Sequence, residues 1–255
     1  MKGKVALVMG GGAGTGRATV LAFGAAGARV VIADLNPEGG KKSLAELEAA
    51  GGEGIFVQAN MASADDIARV MGTVRDTYGA LHAVSNNGAR GTDNLPFTDI
   101  SETDWNNCMD VTLKGVWLCM KAQLPLLEAS GGGAIVNVAS LSGIKGEPLQ
   151  SVYAAAKAGV INLSKSAATE YAKRGVRVNT VCPGGIRSGG MEFYLDKMPE
   201  MKEKVLGVHA MGRLAEPEEI ADAVVYLCSD KASFITGHDM VVDGGAQIRS
   251  NVVDL

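Results

Sequence analysis

The stretch Val5-Ala6-Leu7-Val8-Met9-Gly10-Gly11-Gly12-Ala13-Gly14-Thr15-Gly16-Arg17 decides how the rest of the chain is read. Five apolar residues make a strand covered on both faces, a glycine run follows, and a helical pattern opens at its end. The glycines are spaced G-x-x-x-G-x-G at Gly10, Gly14 and Gly16. Glycine lets the turn tighten and brings backbone N–H groups close to a pyrophosphate at a helix N-terminus, where the dipole favours negative charge. Strand, glycine turn and helix together make the expected first unit of a dinucleotide-binding fold, with Gly10, Gly12, Gly14, Thr15 and Gly16 as candidate cofactor contacts.

The same alternation continues outward. Apolar runs at 30–33, 54–57, 81–85, 134–138, 176–181 and 240–242 read as further strands, most of them unbroken as in parallel sheets buried on both faces. Helical patterns occupy 16–26, 37–50, 64–78, 102–128, 151–173 and 216–229. Pro37 and Pro217 suit a first helical turn and Gly175 suits a helix stop. The expected fold class is α/β, a doubly wound parallel sheet of Rossmann type in a single domain spanning 1–255. One segment, 183–212, is rich in Gly, Met and aromatic residues and reads as irregular. A loop that long in a compact domain is expected to be functional, here a substrate lid around 184–212.

Composition excludes several functions. With 28 acidic against 24 basic residues the net charge is −4, and no basic cluster offers a nucleic-acid surface. Cys108, Cys119, Cys182 and Cys228 lack C-x-x-C spacing, so reduced buried thiols are expected, with neither disulfides nor a metal site. No apolar run approaches the ~20 residues of a membrane span. The first strand begins within a few residues of Met1 without a cleavage site, so a cytoplasmic chain with no membrane partner is expected.

The second strand ends in Val31-Ile32-Ala33-Asp34, about twenty residues past the glycines. A carboxylate there can accept both ribose hydroxyls of an adenosine and would repel a 2′-phosphate, and Ala13 offers that phosphate no positive charge. NAD is the cofactor expected, in preference to NADP. Farther on, Tyr153 and Lys157 stand one helical turn apart on a shared face. An ammonium and an oxidised nicotinamide would both favour the phenolate, bringing a phenol of pKa about 10 towards neutrality for acid/base work. Ser140 follows the fifth strand at its carboxyl end, the edge where ligands sit in open α/β sheets, and could donate to a substrate oxygen.

With these pieces in place the chain resembles the short-chain dehydrogenase/reductase family over residues 4–245. The resemblance rests on the glycine turn, Asn86-Asn87-Gly88, the Ser140, Tyr153 and Lys157 set, Asn179 with Pro183-Gly184, and Asp243-Gly244-Gly245. It implies a seven-stranded sheet, a homodimer or homotetramer, and hydride transfer between nicotinamide and a carbinol carbon. Tyr153 would be the acid/base, Lys157 would also hold the nicotinamide ribose, and Ser140 would orient the substrate. Leu35, Asn60, Met61, Asn87, Gly88, Pro183, Gly184 and Ile186 complete the cofactor contacts that the resemblance implies.

Four positions depart from the family. Met9 replaces a Thr before the first glycine, Gly88-Ala89 exchanges the usual small residues, and Asn60 replaces an Asp that reaches the adenine. Thr112 stands where the family carries a catalytic Asn, whose main-chain carbonyl holds a water that relays protons from the lysine. Any residue has that carbonyl, so Thr112 serves if the helix is locally distorted. Arg90, Gln150 and Met191, together with Arg187, are candidate substrate contacts. The expected substrate is a small, partly apolar ketone or secondary alcohol, cyclic ones included. A 3-oxoacyl-carrier-protein ketoreductase and a non-catalytic dinucleotide-binding protein are the competing readings.

Overall fold

A computed structural model describes residues 1–249; in the segment 189–197 the side chains of Phe193 and Tyr194 are not described. The C-terminal segment 248–255 is expected from the sequence to contact a neighbouring subunit; of it, residues 250–255 lie outside that range. Seven parallel strands form one sheet: β1 (Val5–Met9), β2 (Arg29–Asp34), β3 (Glu53–Gln58), β4 (Ala83–Asn86), β5 (Gly133–Val138), β6 (Val176–Pro183) and β7 (Asp239–Val242). Their order across the sheet is β3-β2-β1-β4-β5-β6-β7. The order reverses between β1 and β4, so a crevice opens beyond the carboxyl ends of those strands. Every loop carrying an expected site residue leaves the sheet at that edge.

Helices cover both faces: α1 (Gly14–Ala25), α2 (Pro37–Ala49), α3 (Ala64–Tyr78), α4 (Glu102–Met109), α5 (Gly115–Ala129), α6 (Ser151–Tyr171), α7 (Gly189–Lys197), α8 (Lys202–Gly207) and α9 (Pro217–Cys228). Alternate strand residues feed two cores. Val5, Leu7 and Met9 pack with α3, α5 and α6, whereas Ala6 and Val8 pack with α1 and α9. Unbroken apolar runs are what this double covering requires. Pro37 and Pro217 open their helices, and Gly175 takes a left-handed φ of 77° where the chain turns from α6 towards β6.

Two expectations are corrected. The segment 183–212 is not irregular throughout: it contains α7, α8 and a 3-10 turn at Pro199–Met201. Its glycines and Met-rich spacing hid helices too short for a clear 3.6-residue period. The stretch 102–128 is likewise not one helix. It divides into α4 and α5 around a π-helical turn at Asp110–Lys114, with Thr112 at its centre. Here Gly115 N–H reaches back to the Asp110 carbonyl, five residues away, widening the helix by one residue.

Candidate active site

The glycine turn is built by close approach. Gly10 has φ +78°, and a Cβ there would stand 2.7 Å from the Gly88 nitrogen; a Cβ on Gly16 would lie 1.9 Å from the Gly10 carbonyl oxygen. Only glycine fits either place. Three side chains fasten the turn from outside. Arg17 Nη2 donates to the Gly12 carbonyl at 2.5 Å, Ser43 Oγ donates to the Gly11 carbonyl at 2.7 Å, and Asp34 Oδ2 accepts from Gly12 N–H at 2.7 Å. The other Asp34 oxygen accepts from Asn36 N–H at 2.8 Å, so the carboxylate is held at the tip of β2 beside the turn. Met9, where the family has Thr, is buried, and its carbonyl ties the next loop by accepting from Asn87 N–H at 2.9 Å.

Two features fit a bound dinucleotide. Ala13 caps α1 without a side-chain hydrogen bond and no carboxylate stands in the first turn, which leaves its opening N–H groups and dipole for an anion. Asn87 Oδ1 is buried without a hydrogen-bond partner among the described residues, and Asn87 lines a cavity beside the glycine turn. An orphaned acceptor there suits a hydroxyl donor. Asn60 Oδ1 is already engaged by Ala62 N–H at 2.9 Å, so an adenine amino group would have to share it. Met61 is buried and occupies the space beside Gly88, where a Cβ would come within 2.2 Å of the Met61 sulfur.

A cavity of about 260 Å³ gathers the chemistry. It is lined by Gly10, Thr15 and Gly16 from the first turn, Asn87 just after β4, Ser140, Tyr153 and Lys157, and Pro183, Gly184 and Ile186 at and beyond the end of β6. Ala13, Ala89, Val138 and Ala139 also line it. Their only sequence signal is position just beyond a strand or inside the glycine turn. Lys157 is fully enclosed, with Nζ 5.6 Å from the Tyr153 ring centre and donating to the Val138 carbonyl at 2.6 Å. Burial pulls the lysine down to about 8. Cys108 and Cys182 flank it, and burial pushes both thiols up, so near neutral pH neither brings a negative charge. Burial raises the Tyr153 phenol, and the Ser140 hydrogen bond only partly opposes this; the expected lowering would draw on the positive charge of a bound oxidised nicotinamide as well as on Lys157. Sequence spacing showed the nearby ammonium but not the desolvation.

The substrate candidates separate. Ser140 and Tyr153 face the cavity, whereas Arg90, Gln150 and Met191 are not among its lining residues. Gln150 donates to Asn94 Oδ1, and Arg187 pairs with Glu216 at 2.9 Å. Thr112 is buried, and its hydroxyl donates to the Arg90 carbonyl and accepts from the Arg90 N–H, each at 2.9 Å. That double clasp fixes the loop after β4 to the π turn. Thr112→Val keeps the shape but removes both bonds. It is expected to cost about 1–2 kcal/mol, seen as a Tm lowered by roughly 3–5 °C in a circular-dichroism melt. An unchanged Tm would show that the clasp contributes nothing.

Crevice, glycine turn and tyrosine–lysine–serine cluster define a nicotinamide-dependent oxidoreductase. The family model described as enoyl-(acyl carrier protein) reductase matches residues 10–247, and the chain belongs to the short-chain dehydrogenase/reductase family. Among curated relatives, cyclohexanol dehydrogenase of an Acinetobacter species is 41% identical over 94% of each chain. The 2,5-dichloro-2,5-cyclohexadiene-1,4-diol dehydrogenase of Sphingobium indicum is 37% identical, covering 96% of this chain and 97% of its own. A 3-oxoacyl-(acyl-carrier-protein) reductase of Staphylococcus aureus is 40% identical over 74% of this chain and 75% of its own. A crystal structure of a putative short-chain dehydrogenase/reductase from Burkholderia xenovorans superimposes with a TM-score of 0.93 at 32% identity, covering 98% of both chains. The chain is thus an oxidoreductase acting on CH–OH groups with a nicotinamide cofactor.

Proposed function

We propose that the chain is an NAD-dependent dehydrogenase of a small, partly apolar secondary alcohol, cyclic ones included, and of the matching ketone in reverse. The observation that carries this reading is the single cavity into which Ser140, Tyr153 and Lys157 open together with three ligand-cradling turns. The similarity to two dehydrogenases named for six-membered cyclic alcohols supports the substrate class.

Bound nicotinamide supplies or accepts the hydride. The N-terminus of α1 and Gly10 to Gly16 would hold the pyrophosphate, with Thr15 at the first helical turn. Asp34, with Leu35 after it, would take the adenosine ribose. Asn60, Met61 and Gly88 would wall the adenine side. Lys157 and Asn87 would hold the nicotinamide side, with Pro183, Gly184 and Ile186 against the ring. Ser140 donates to the substrate oxygen and sets its distance from the phenol. Tyr153 accepts the hydroxyl proton during oxidation and returns it during reduction. The Lys157 ammonium favours the phenolate and passes a proton on towards the π turn, where the Thr112 main-chain carbonyl would hold the relaying water. Arg90, Gln150 and Met191 would act, if at all, on the outer part of a substrate.

A panel of cyclic and linear secondary alcohols, followed at the NADH absorbance band, tests this. Turnover of small alcohols with NAD is expected. Tight NADH binding without turnover of any alcohol or ketone would instead support a dinucleotide-binding protein. The acyl-carrier-protein relative favours a second reading, a ketoreductase; activity confined to NADPH and a 3-oxoacyl thioester would establish it. Cytoplasmic residence and assembly as a homodimer or homotetramer belong to the same proposal. No helix among the described residues is long and apolar enough to cross a membrane.

Asp34 sets the cofactor choice. Unit charges ~5 Å apart at an effective dielectric near 20 repel by about 3 kcal/mol, on the order of 100-fold. Asp34→Ala is expected to lower the NAD over NADP ratio of kcat/KM by that order. An unchanged ratio would remove the electrostatic basis for NAD preference.

A further inference from the structure

We propose that His209 is a positioning residue, a proton-sensitive latch that ties the segment around α8 to the turn forming the nicotinamide-side wall of the cavity. The inference rests on the oxidoreductase reading for its functional consequence, but its geometry stands independently. His209 is 5% exposed, at the C-terminal end of the segment expected to act as a lid. Its Nε2 accepts from the Gly185 N–H at 2.9 Å, and its Nδ1 lies 3.2 Å from the Val205 carbonyl. A carbonyl only accepts, so Nδ1 must carry the hydrogen there; a backbone N–H only donates, so Nε2 must be bare. One neutral tautomer satisfies both contacts.

Gly185 lies next to Pro183 and Gly184, which line the catalytic cavity. No side chain fits at Gly185: a Cβ would stand 2.9 and 3.0 Å from two atoms of the His209 ring and 2.7 Å from Leu214. The ring is therefore packed against the wall as well as bonded to it. The surrounding backbone closes the same junction, with Met211 N–H donating to Gly244 O at 3.0 Å, Ala215 N–H to Gly185 O at 2.9 Å and Gly184 N–H to Val242 O at 3.0 Å. A shift of the latch is thus transmitted to the turn after β6.

A second proton on the imidazole puts an N–H at Nε2, facing the Gly185 N–H. Two donors face one another, and the latch opens. The charges around it have their own partners. Arg213 and Glu219, which share a small cavity with His209 and Asp243, form a two-point ion pair at 2.7 and 2.8 Å. Asp243 accepts from Gly245 N–H at 2.9 Å and Gln247 N–H at 2.6 Å. Arg249 Nη1 donates to the main-chain oxygens of Gly207 and His209. Arg187 pairs with Glu216, and Lys202, Glu203 and Lys204 on α8 are exposed. Among the described residues, none of these contacts supplies an acceptor at Nε2 for a new proton. The latch is therefore expected to hold while the imidazole is neutral and to weaken once it carries the second proton.

The test compares wild type with His209→Gln, which keeps an acceptor towards Gly185 and cannot titrate, and His209→Leu, which fills the space without either bond. Hydrogen exchange of the peptides spanning 183–187 and 203–210 is measured at pH 7.5 and 5.5, corrected for intrinsic rates, alongside the KM for NAD. Wild type should lose protection at least tenfold at the lower pH, His209→Gln should not, and His209→Leu should be unprotected at both. The KM for NAD should rise in the same pattern while Tm stays within a few degrees. Parallel acid loss in wild type and His209→Gln, or full protection in His209→Leu, would overturn the latch. Exchange needs no turnover, so failure of the enzyme reading alone would leave the exchange pattern intact and abolish only the KM pattern.

Discussion

Tyr153→Phe is expected to lower kcat about a thousandfold or more while leaving NADH affinity within about twofold. The phenol oxygen is the only atom removed, and general acid/base catalysis by one positioned group contributes on the order of 10² to 10⁴. Cofactor binding rests mainly on the glycine turn, Asp34 and Lys157, which the substitution leaves in place. The pH dependence carries the sharper signature. Burial holds the Tyr153 phenol above its ordinary value, so the surrounding protein alone does not make it a base at neutral pH. The positive charge of oxidised nicotinamide and of Lys157 must act in the opposite direction before the phenol ionises in the working range. Alcohol oxidation by the wild type should therefore rise with pH as the phenolate forms, and reduction should fall. In Tyr153→Phe both profiles should be flat over that interval. Retention of the rise in the variant would assign the base to another group.

How much of this was legible in the sequence depended on the range of the interactions involved. Apolar runs disclosed all seven strands, because strands covered on both faces are built mostly from apolar residues. The edge of the sheet that carries the site followed from the glycine turn, Asp34 and Ser140 each standing at the carboxyl end of a strand. What stayed hidden depended on contacts between distant residues. Asn86, Gln123, Asn137 and Ser164 look like scattered polar positions, yet they form a buried, mutually satisfied network, with Asn86 Nδ2 2.7 Å from Asn137 Oδ1 and Asn137 Nδ2 2.8 Å from Ser164 Oγ. Arg17 on α1 and Ser43 on α2 fasten the glycine turn through contacts that no local pattern announces. The π turn was equally silent: one extra residue in a helix leaves composition and periodicity almost unchanged. Thr112 was readable only as a departure. Its double bond to Arg90 gives the position a structural role that an expected main-chain carbonyl does not describe. Leu149, with φ +64° just before α6, is the one non-glycine residue in that region among those described. A bulky residue there stores about 1–2 kcal/mol of strain, and no local pattern announces it.

Lys157→Met should separate stability from activity in opposite directions. Its ordinary value is 10.5, and burial brings it down to about 8. At pH 7 the ammonium is therefore still present, and holding it in the cavity costs about 3 kcal/mol relative to an exposed lysine. A folded-state value below the unfolded one means that this cost is full below about pH 8, fades as the pH rises towards 10.5, and is absent above. Methionine fills the space without a charge but leaves the Val138 carbonyl without the 2.6 Å bond from Nζ, which returns roughly 1 kcal/mol of the gain. The cofactor-free variant is thus expected to be more stable than wild type by about 1–2 kcal/mol at pH 7. That advantage should shrink and then reverse as the pH approaches 10.5, in denaturant titrations at each pH. Activity should fall at least a thousandfold, because the phenol loses the neighbouring ammonium and the nicotinamide ribose loses a donor. The residual alcohol oxidation should show its rise displaced to higher pH. A variant that is both less active and less stable at pH 7 would mean that the ammonium is compensated by a partner the cavity geometry does not reveal, and the electrostatic role assigned to Lys157 would need revision.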